Sequence, residues 1–170
     1  MKWNSLYASR IDSIGHSDVA AMLKLAESPE IISFAGGLPD PEVFLLEEIK
    51  EIFAEVLAKK GRAALGYGPI VGITPFREWL AEYMTQSGRP SKVDECLVTT
   101  GGIAALDLIC KVLLDPGDIA IVGEPAYLAA LHVIRSYQGR FAGVPLDAEG
   151  MQPDALKSTL ADLRRASLRP

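Results

Sequence analysis

The sequence predicts an α/β fold, in which a parallel sheet carries helices on both faces and so forms three layers. The first observation behind this prediction is an alternation, from about residue 96 onward, of short apolar runs with longer helical patterns. Such alternation is typical of parallel strands joined by crossover helices. The second observation is a composition of 49% hydrophobic and 23% charged residues, which is the balance of a folded globular domain.

The N-terminal half of the chain is predicted to form helices separated by loops rich in glycine and proline. Its apolar residues recur at steps of three and four, and caps, prolines and glycines mark the ends of the helical patterns. The predicted elements are a short helix capped by Ser17 or Asp18 and ended at Ser28-Pro29, an extended piece at 31–34, a loop at 35–41, a helix at 46–60 stopped by Gly61, a loop at 65–72, and a helix from Thr74-Pro75 to near Gly88.

The C-terminal half carries the alternation of strands and helices. Strands are predicted at 96–99, 119–122 and 140–144, helices at 102–114, 127–138 and 153–165, and a turn at 115–118. A parallel sheet with both faces covered needs more strands than these three. Because the alternation breaks off after a helix, near residues 168–170, we expect the chain to hold only part of its domain.

Charge and composition exclude several classes of function. The net charge of −5 disfavours a broad nucleic-acid surface, which needs clustered lysine and arginine. No apolar run approaches the ~18 residues of a membrane span, and the N-terminus lacks the apolar segment of a secretory signal. Cys96 and Cys110 lie in apolar patterns without metal-ligand neighbours, so we expect buried free thiols and no metal site. These features predict a cytoplasmic protein without nucleic-acid or membrane partners.

The most informative motif is the turn at Gly101 and Gly102, where a β-branched run stops and a helical pattern begins. A helix that starts directly after a strand offers unpaired main-chain N–H groups at the positive end of its dipole. The amides of Gly101, Gly102 and Ile103 are therefore candidates for binding a phosphate. The alternative is a tight turn that needs glycine for its backbone angles and binds nothing. The residues alone leave both interpretations open.

Three further residues are candidates for ligand contacts. Tyr127 follows a predicted strand, and ligands of parallel sheets bind beyond the carboxyl ends of the strands. Its ring is therefore placed to stack on a flat cofactor. The alternative is that the ring packs against the start of a helix. Tyr67, within a glycine-rich loop, suits a ligand or partner-subunit contact as well as a plain surface loop. Gly37 lies in a loop whose backbone either approaches a ligand or forms an exposed turn. Asp107 and Lys111 have the spacing of an exposed ion pair on one helix.

Five segments, taken in order and spacing, resemble the fold-type I pyridoxal-phosphate aminotransferases of class I and II. The resemblance is to the branch of the 2-aminoadipate and kynurenine aminotransferases, which also supplies the aminotransferase-like domains of certain transcription regulators. It covers about residues 18–170. The segments are ISFAGGLPDPEVF at 32–44, LGYG at 65–68 with Gly72, Pro75 and Arg77, LVTTG at 97–101 with ALD at 105–107, DPGD at 115–118 and EPAY at 124–127.

The resemblance implies a domain organisation. The three-layer parallel-sheet large domain of the fold-type I transferases would be present but incomplete, with an N-terminal helical segment that belongs to the small domain. Residues 1–45 would form the N-terminal arm and part of the small domain. Residues 46–170 would form the first part of the large domain, which binds the cofactor.

The resemblance also implies roles for the candidate residues. The amides of residues 101–103 would hold the phosphate of pyridoxal 5'-phosphate, and Tyr127 would stack on its pyridine ring. Tyr67 would reach the cofactor phosphate of a neighbouring subunit, which implies a homodimer of the full-length protein. Gly37 would lie against the substrate. The implied activity is transfer of an amino group between an α-amino acid and a 2-oxo acid.

Several features depart from the family pattern. Related proteins often carry Ser and Gln where this chain has Gly102 and Ile103, so phosphate binding would depend on backbone amides alone. The family's Schiff-base lysine comes later than residue 170, so we assign no catalytic residue in this chain. We expect the 170-residue chain by itself to be inactive and, with strand edges uncovered, prone to aggregate. The alternatives are a degenerate or truncated remnant, or a ligand-sensing domain without catalysis.

Overall fold

The computed structural model describes residues 3–14, 30–32, 34, 37, 39–168 and 170. Its helices and strands follow in the order α1 Ile11–Ile14, α2 Leu46–Leu65, α3 Thr74–Gln86, α4 Gly102–Leu113, β1 Ile119–Glu124, α5 Leu128–Ser136, β2 Arg140–Asp147, β3 Gly150–Met151 and α6 Pro153–Arg165. The chain divides into two compact units. We call Ser17–Thr99 the helical unit, and Met1–His16 together with Thr100–Pro170 the sheet unit. The helix predicted at 17–28 lies outside the described residues.

In the helical unit, α2 is a helix of 20 residues with Glu47 and Glu48 in its first turn, where negative charge suits the positive end of the helix dipole. The predicted stop at Gly61 is a kink instead. The backbone of Lys60 leaves the helical angles (φ −138°, ψ 20°), and the helix then continues to Leu65. Glycine weakens a helix by about 1 kcal/mol relative to alanine, which marks the site of the kink without ending the helix.

The start of α3 follows its sequence signal closely. Pro75 lies in the first turn, where the missing N–H costs no hydrogen bond within the helix. The N-cap is Ile73, whereas the sequence predicts that the hydroxyl of Thr74 forms the cap. Thr74 is instead the first helical residue, and Ala81 is buried on the same helix.

The sheet unit is built on two parallel strands. β1 pairs with β2 from Ile119↔Arg140 to Glu124↔Pro145, and β2 then turns into a short antiparallel pairing with β3. Helix α5 makes the crossover between β1 and β2 and packs against α1, α4 and β2, while α6 packs against β2. Among the described residues of the unit, the buried hydrophobic side chains are those of Cys110, Ile119, Ile134 and Val144. None of the helices in the described ranges is long and apolar enough to cross a membrane.

One predicted strand is not formed. Cys96 has an extended backbone, at φ −101° and ψ 124°, but residues 96–99 join no sheet within the described part of the chain. The N–H of Val98 donates to the carbonyl oxygen of Val71 at 3.1 Å. A strand exists only through pairing with a neighbouring strand. The strand predicted from this apolar run is therefore wrong.

Candidate functional site

The turn that precedes α4 has the backbone geometry that requires glycine. Gly101 is the N-cap of α4 at φ 140° and ψ 167°, a region that residues with a Cβ avoid. Its carbonyl oxygen accepts the first bond of the helix, from the N–H of Ala105 at 3.1 Å. Gly102 is the first residue of α4, and no side chain caps this end of the helix. We call residues 101–103 the glycine turn.

The glycine turn combines the main-chain donors at the start of α4 with open space beside its two glycines. The N–H groups in the first turn of a helix have no acceptor within that helix. A Cβ placed on Gly101 or on Gly102 would meet no atom within 4 Å, and the side chain of Ile103 is 39% exposed. Helix α4 is 12 residues long, so its dipole adds positive potential at this end. The turn therefore has the donors and the room that a bound anion needs.

Tyr127 occupies the corresponding position on the next helix. It is the N-cap of α5, and its carbonyl oxygen accepts hydrogen bonds from the N–H groups of Ala130 and Leu131 at 3.0 and 3.3 Å. Its side chain makes no capping hydrogen bond and is 70% exposed. The backbone thus fixes the start of α5, while the aromatic ring remains accessible for stacking on a flat ligand.

Topology brings the glycine turn and Tyr127 to the same end of the sheet unit. The C-terminal ends of both helices lie at the amino ends of the strands. Residues 114–118 connect α4 to β1. In this connection the N–H of Gly117 donates to the carbonyl oxygen of Gln138, just after α5, at 2.9 Å, and the carbonyl oxygen of Asp118 accepts from the N–H of Arg140 at 2.7 Å. The N-terminal ends of α4 and α5 therefore lie toward the carboxyl end of β1. Parallel sheets bind their ligands at that end.

Tyr67 and Gly37 belong to the helical unit. Tyr67 lies in the segment after α2 and is fully exposed. Gly37 has a φ of +57°, and a Cβ placed on it would meet no atom within 4 Å. Both positions have accessible surroundings of the kind that a contact with a ligand or a second subunit requires.

Asp107 has a partner that the sequence did not predict. The phenol of Tyr137 donates to Oδ1 of Asp107 at 3.1 Å, in place of the predicted ion pair between Asp107 and Lys111. Burial raises the pKa of Tyr137, and the hydrogen bond to Asp107 raises it further. Burial also raises the pKa of Cys110, with the charge of Asp107 as the second cause. Tyr137 lies 30 residues from Asp107, so no local spacing could have indicated the pair.

Arg77 and Gly72, two residues of the helical unit that carry the resemblance described above, have local structural roles. The guanidinium group of Arg77 donates to the carbonyl oxygens of Cys96 and Val93 at 2.8 and 2.6 Å. Gly72, at φ +100°, lies so close to Val98 that an added Cβ would approach its Cγ2 to 2.5 Å. These contacts hold residues 93–98, the segment that leads to the glycine turn, against the start of α3.

Comparison with known proteins identifies consistent similarities. The sequence profile of the family described as aminotransferase class I and II matches residues 29–169. The aromatic-amino-acid aminotransferase 1 of Thermococcus litoralis is 47% identical over 151 residues, which are 88% of this chain and 36% of that protein. The 2-aminoadipate transaminase of Thermus thermophilus is 40% identical over 160 residues, which are 94% of this chain and 39% of that protein.

Solved structures show the same likeness. The kynurenine aminotransferase of Pyrococcus horikoshii, crystallised in complex with PMP, superposes with a TM-score of 0.88 at 37% sequence identity. The superposition covers 99% of this chain and 42% of the other. The chain therefore spans about two fifths of the length of the curated relatives that it matches.

Proposed function

Because the chain belongs to the class I and II aminotransferase family, we propose that it forms part of an enzyme that transfers an amino group between an α-amino acid and a 2-oxo acid. Family membership confirms the resemblance and the α/β fold class predicted from the sequence. The cofactor of the family is pyridoxal 5'-phosphate. Since the chain spans about two fifths of its relatives, the activity is proposed for the complete enzyme.

The observation that carries this proposal is the open glycine turn at the same end of the sheet unit as Tyr127. The amides of residues 101–103 would hold the cofactor phosphate, and the ring of Tyr127 would stack on the pyridine. The open space before Gly101 and Gly102 fits this assignment. When bound, the cofactor supplies an electron sink, while the protein supplies binding and orientation.

The remaining assignments concern the helical unit. We propose that Tyr67 reaches the cofactor phosphate of a second copy in a homodimer, and that Gly37 lies against the substrate. The full exposure of Tyr67 and the open surroundings of Gly37 support these roles. We place the boundary between the small-domain part (1–45) and the large domain (46–170) at the start of α2, although the two compact units divide at residues 16 and 99.

The 170 residues are proposed to bind the cofactor without performing transamination on their own. A lysine that forms a Schiff base needs a desolvated position beside the cofactor. All lysines in the described ranges are exposed, and they are Lys50, Lys59, Lys60, Lys92, Lys111 and Lys157. We further propose a cytoplasmic location, which the unpaired state of both cysteines supports.

Binding of pyridoxamine 5'-phosphate tests the proposed function. This probe carries the phosphate and the ring, and its amine cannot condense with surface lysines as an aldehyde would. We expect saturable binding by the 170-residue chain, measured by calorimetry, and competition by inorganic phosphate. A remnant that has lost the cofactor site would show neither, and that result would overturn the proposal.

Substitution of Gly102 locates the binding site. Gly102→Ser adds a hydroxyl donor in open space, so we expect affinity for the probe to rise about two- to tenfold, the net contribution of one hydrogen bond. Gly102→Ala is the matched control, because it changes the helix start in the same way without adding a donor. Equal affinities of the two variants would contradict a phosphate at the glycine turn.

A further inference from the structure

A hydrogen bond joins the two helices whose N-terminal ends form the candidate site. Tyr137, the C-cap of α5, donates its phenol proton to Oδ1 of Asp107 in the second turn of α4. Both residues are half-buried, and the core residues Cys110 and Ile134 lie on the same two helices. The bond therefore lies where α4 and α5 pack together.

The tyrosine side of this bond is anchored to the sheet. The N–H of Tyr137 donates to the carbonyl oxygen of Ile134 at 3.2 Å, which closes the end of α5. The next residue, Gln138, accepts from Gly117 at 2.9 Å, just before β1. A tyrosine phenol ordinarily ionises near pH ~10, and burial raises the pKa of Tyr137 further, so the phenol is a donor at neutral pH.

The aspartate side of the bond lies close to the glycine turn. Asp107 follows Gly102 by five residues, which is about 7.5 Å along the helix axis. A shift of α4 along its axis would move Gly102 and Asp107 together. It would therefore break the hydrogen bond from Tyr137 to Asp107. The hydrogen bond thus opposes sliding of the glycine turn relative to the start of α5, where Tyr127 lies.

We propose that Asp107 and Tyr137 form a positioning pair, which sets the separation between the phosphate-binding amides of α4 and the aromatic ring at the start of α5. This inference rests on the proposed function. Neither residue contacts the cofactor. The pair acts through the axial register of the two helices, so it matters for a ligand that engages both helix ends and not for an anion that engages α4 alone.

A comparison of two ligands tests the positioning role. Pyridoxamine 5'-phosphate engages both helix ends, whereas inorganic phosphate engages only the glycine turn. Tyr137→Phe removes the hydroxyl and keeps the ring. We expect this variant to bind pyridoxamine 5'-phosphate about three- to tenfold more weakly, within the net contribution of one hydrogen bond, and to bind inorganic phosphate with unchanged affinity.

Further variants separate positioning from stability. Asp107→Asn keeps an acceptor oxygen and is expected to retain the affinity ratio of the two ligands, while Asp107→Ala should behave like Tyr137→Phe. If Tyr137→Phe fails to fold, as judged by circular dichroism, the two Asp107 variants decide the question. Ser136→Ala is the control, because it removes another hydroxyl hydrogen bond of α5, to Val133 at 2.6 Å, and should leave the ratio unchanged.

The outcomes distinguish this inference from the proposed function. Equal weakening of both ligands by Tyr137→Phe would mean a purely structural role and would overturn the positioning pair. An unchanged affinity ratio in both Tyr137→Phe and Asp107→Ala would overturn it as well. Failure of the unsubstituted chain to bind pyridoxamine 5'-phosphate would overturn the proposed function and this inference with it.

Discussion

Two glycines with positive φ angles illustrate opposite uses of a missing Cβ. At Gly101, with φ 140°, the absent side chain leaves open space before the start of α4. At Gly72, with φ +100°, the same absence lets Val98 pack directly on the backbone. The first glycine leaves space at the start of α4, whereas the second allows Val98 to pack against the loop that precedes α3 within the helical unit.

Gly72→Ala should therefore destabilise the helical unit strongly. The new Cβ would lie 2.5 Å from Cγ2 of Val98, and the backbone would keep a φ that residues with a Cβ avoid. Overpacking and strain together predict a loss of about 2–4 kcal/mol in the free energy of unfolding by urea. Gly68→Ala is the matched control, since no atom lies within 4 Å of its added Cβ. Similar losses in both variants would contradict the role of the Val98 contact.

Because of Cys110, we expect the stability of the sheet unit to fall at alkaline pH. Its side chain is 3% exposed, and burial, followed by the charge of Asp107, raises its pKa. The unfolded thiol ionises near pH ~8.5, while the folded thiol keeps its proton to higher pH. Because the folded state then binds more protons, stability falls as the pH rises from that value toward the folded pKa.

The measurement is the urea midpoint between about pH 7 and 10. We expect it to decrease above about pH 8.5 in the unsubstituted chain, and to decrease less steeply in Cys110→Ala, which has no thiol to ionise. Tyr137, whose pKa is also raised, contributes in the same direction at still higher pH. A midpoint that rose with pH would contradict the burial of a neutral thiol.

At the scale of the element, local signals predicted the helices well. Proline marked the start of α3, because its effect depends only on the backbone of neighbouring residues, whereas the stop predicted at Gly61 is a kink and α2 continues to Leu65. Predictions that needed a distant partner failed. Residues 96–99 lack the predicted strand pairing, and Asp107 contacts Tyr137 instead of Lys111. Periodicity in one segment does not carry information about which segment lies beside it.

Arg77 joins the start of α3 to residues 93–96, and we expect that even a conservative replacement of it lowers stability. Its guanidinium group reaches the carbonyl oxygens of Cys96 and Val93, whereas its contact with exposed Asp94 is long, at 3.8 Å, and contributes little. The single ammonium of Arg77→Lys cannot reproduce this fork, so we expect a loss of about 1–3 kcal/mol in the free energy of unfolding. Arg89→Lys, at an exposed position, is the matched control, and a comparable loss there would refute this role.

At the scale of the molecule, much apolar surface is exposed. Helix α4 buries Cys110 on one side, but it exposes a second apolar side formed by Leu108, Ile109, Val112 and Leu113. An apolar face of a helix is normally covered by a neighbouring element. This surface is consistent with a chain that spans about two fifths of its relatives, and it favours association with other apolar surfaces.

Val112→Lys should reduce self-association without loss of stability. Val112 is 78% exposed, and a cation in the last turn of α4 suits the negative end of its dipole. We expect less concentration-dependent light scattering and a free energy of unfolding within about 0.5 kcal/mol of the unsubstituted chain. Lys111→Gln, at another exposed position of α4, serves as the control and should not improve solubility. Marked destabilisation by Val112→Lys would mean that Val112 packs within the fold.

The candidate site could be predicted in part because its residues lie at the ends of locally predictable elements. The glycine turn starts a helix, Tyr127 follows a strand, and parallel topology places such ends together. The hydrogen bond between Asp107 and Tyr137 could not be predicted, since it depends on how α4 and α5 pack. Sequence patterns therefore located the candidate residues at the ends of elements better than they indicated the contacts between α4 and α5.

The phosphate donors assigned to the glycine turn are peptide N–H groups, and this determines which mutagenesis can detect them. Alanine substitution of Gly102 or Ile103 leaves every amide in place, so it does not test whether those amides bind the phosphate. Proline lacks the amide hydrogen and is tolerated in the first turn of a helix. Proline substitution in the first turn of α4 is thus the mutagenesis suited to a proposed site whose donors are peptide N–H groups.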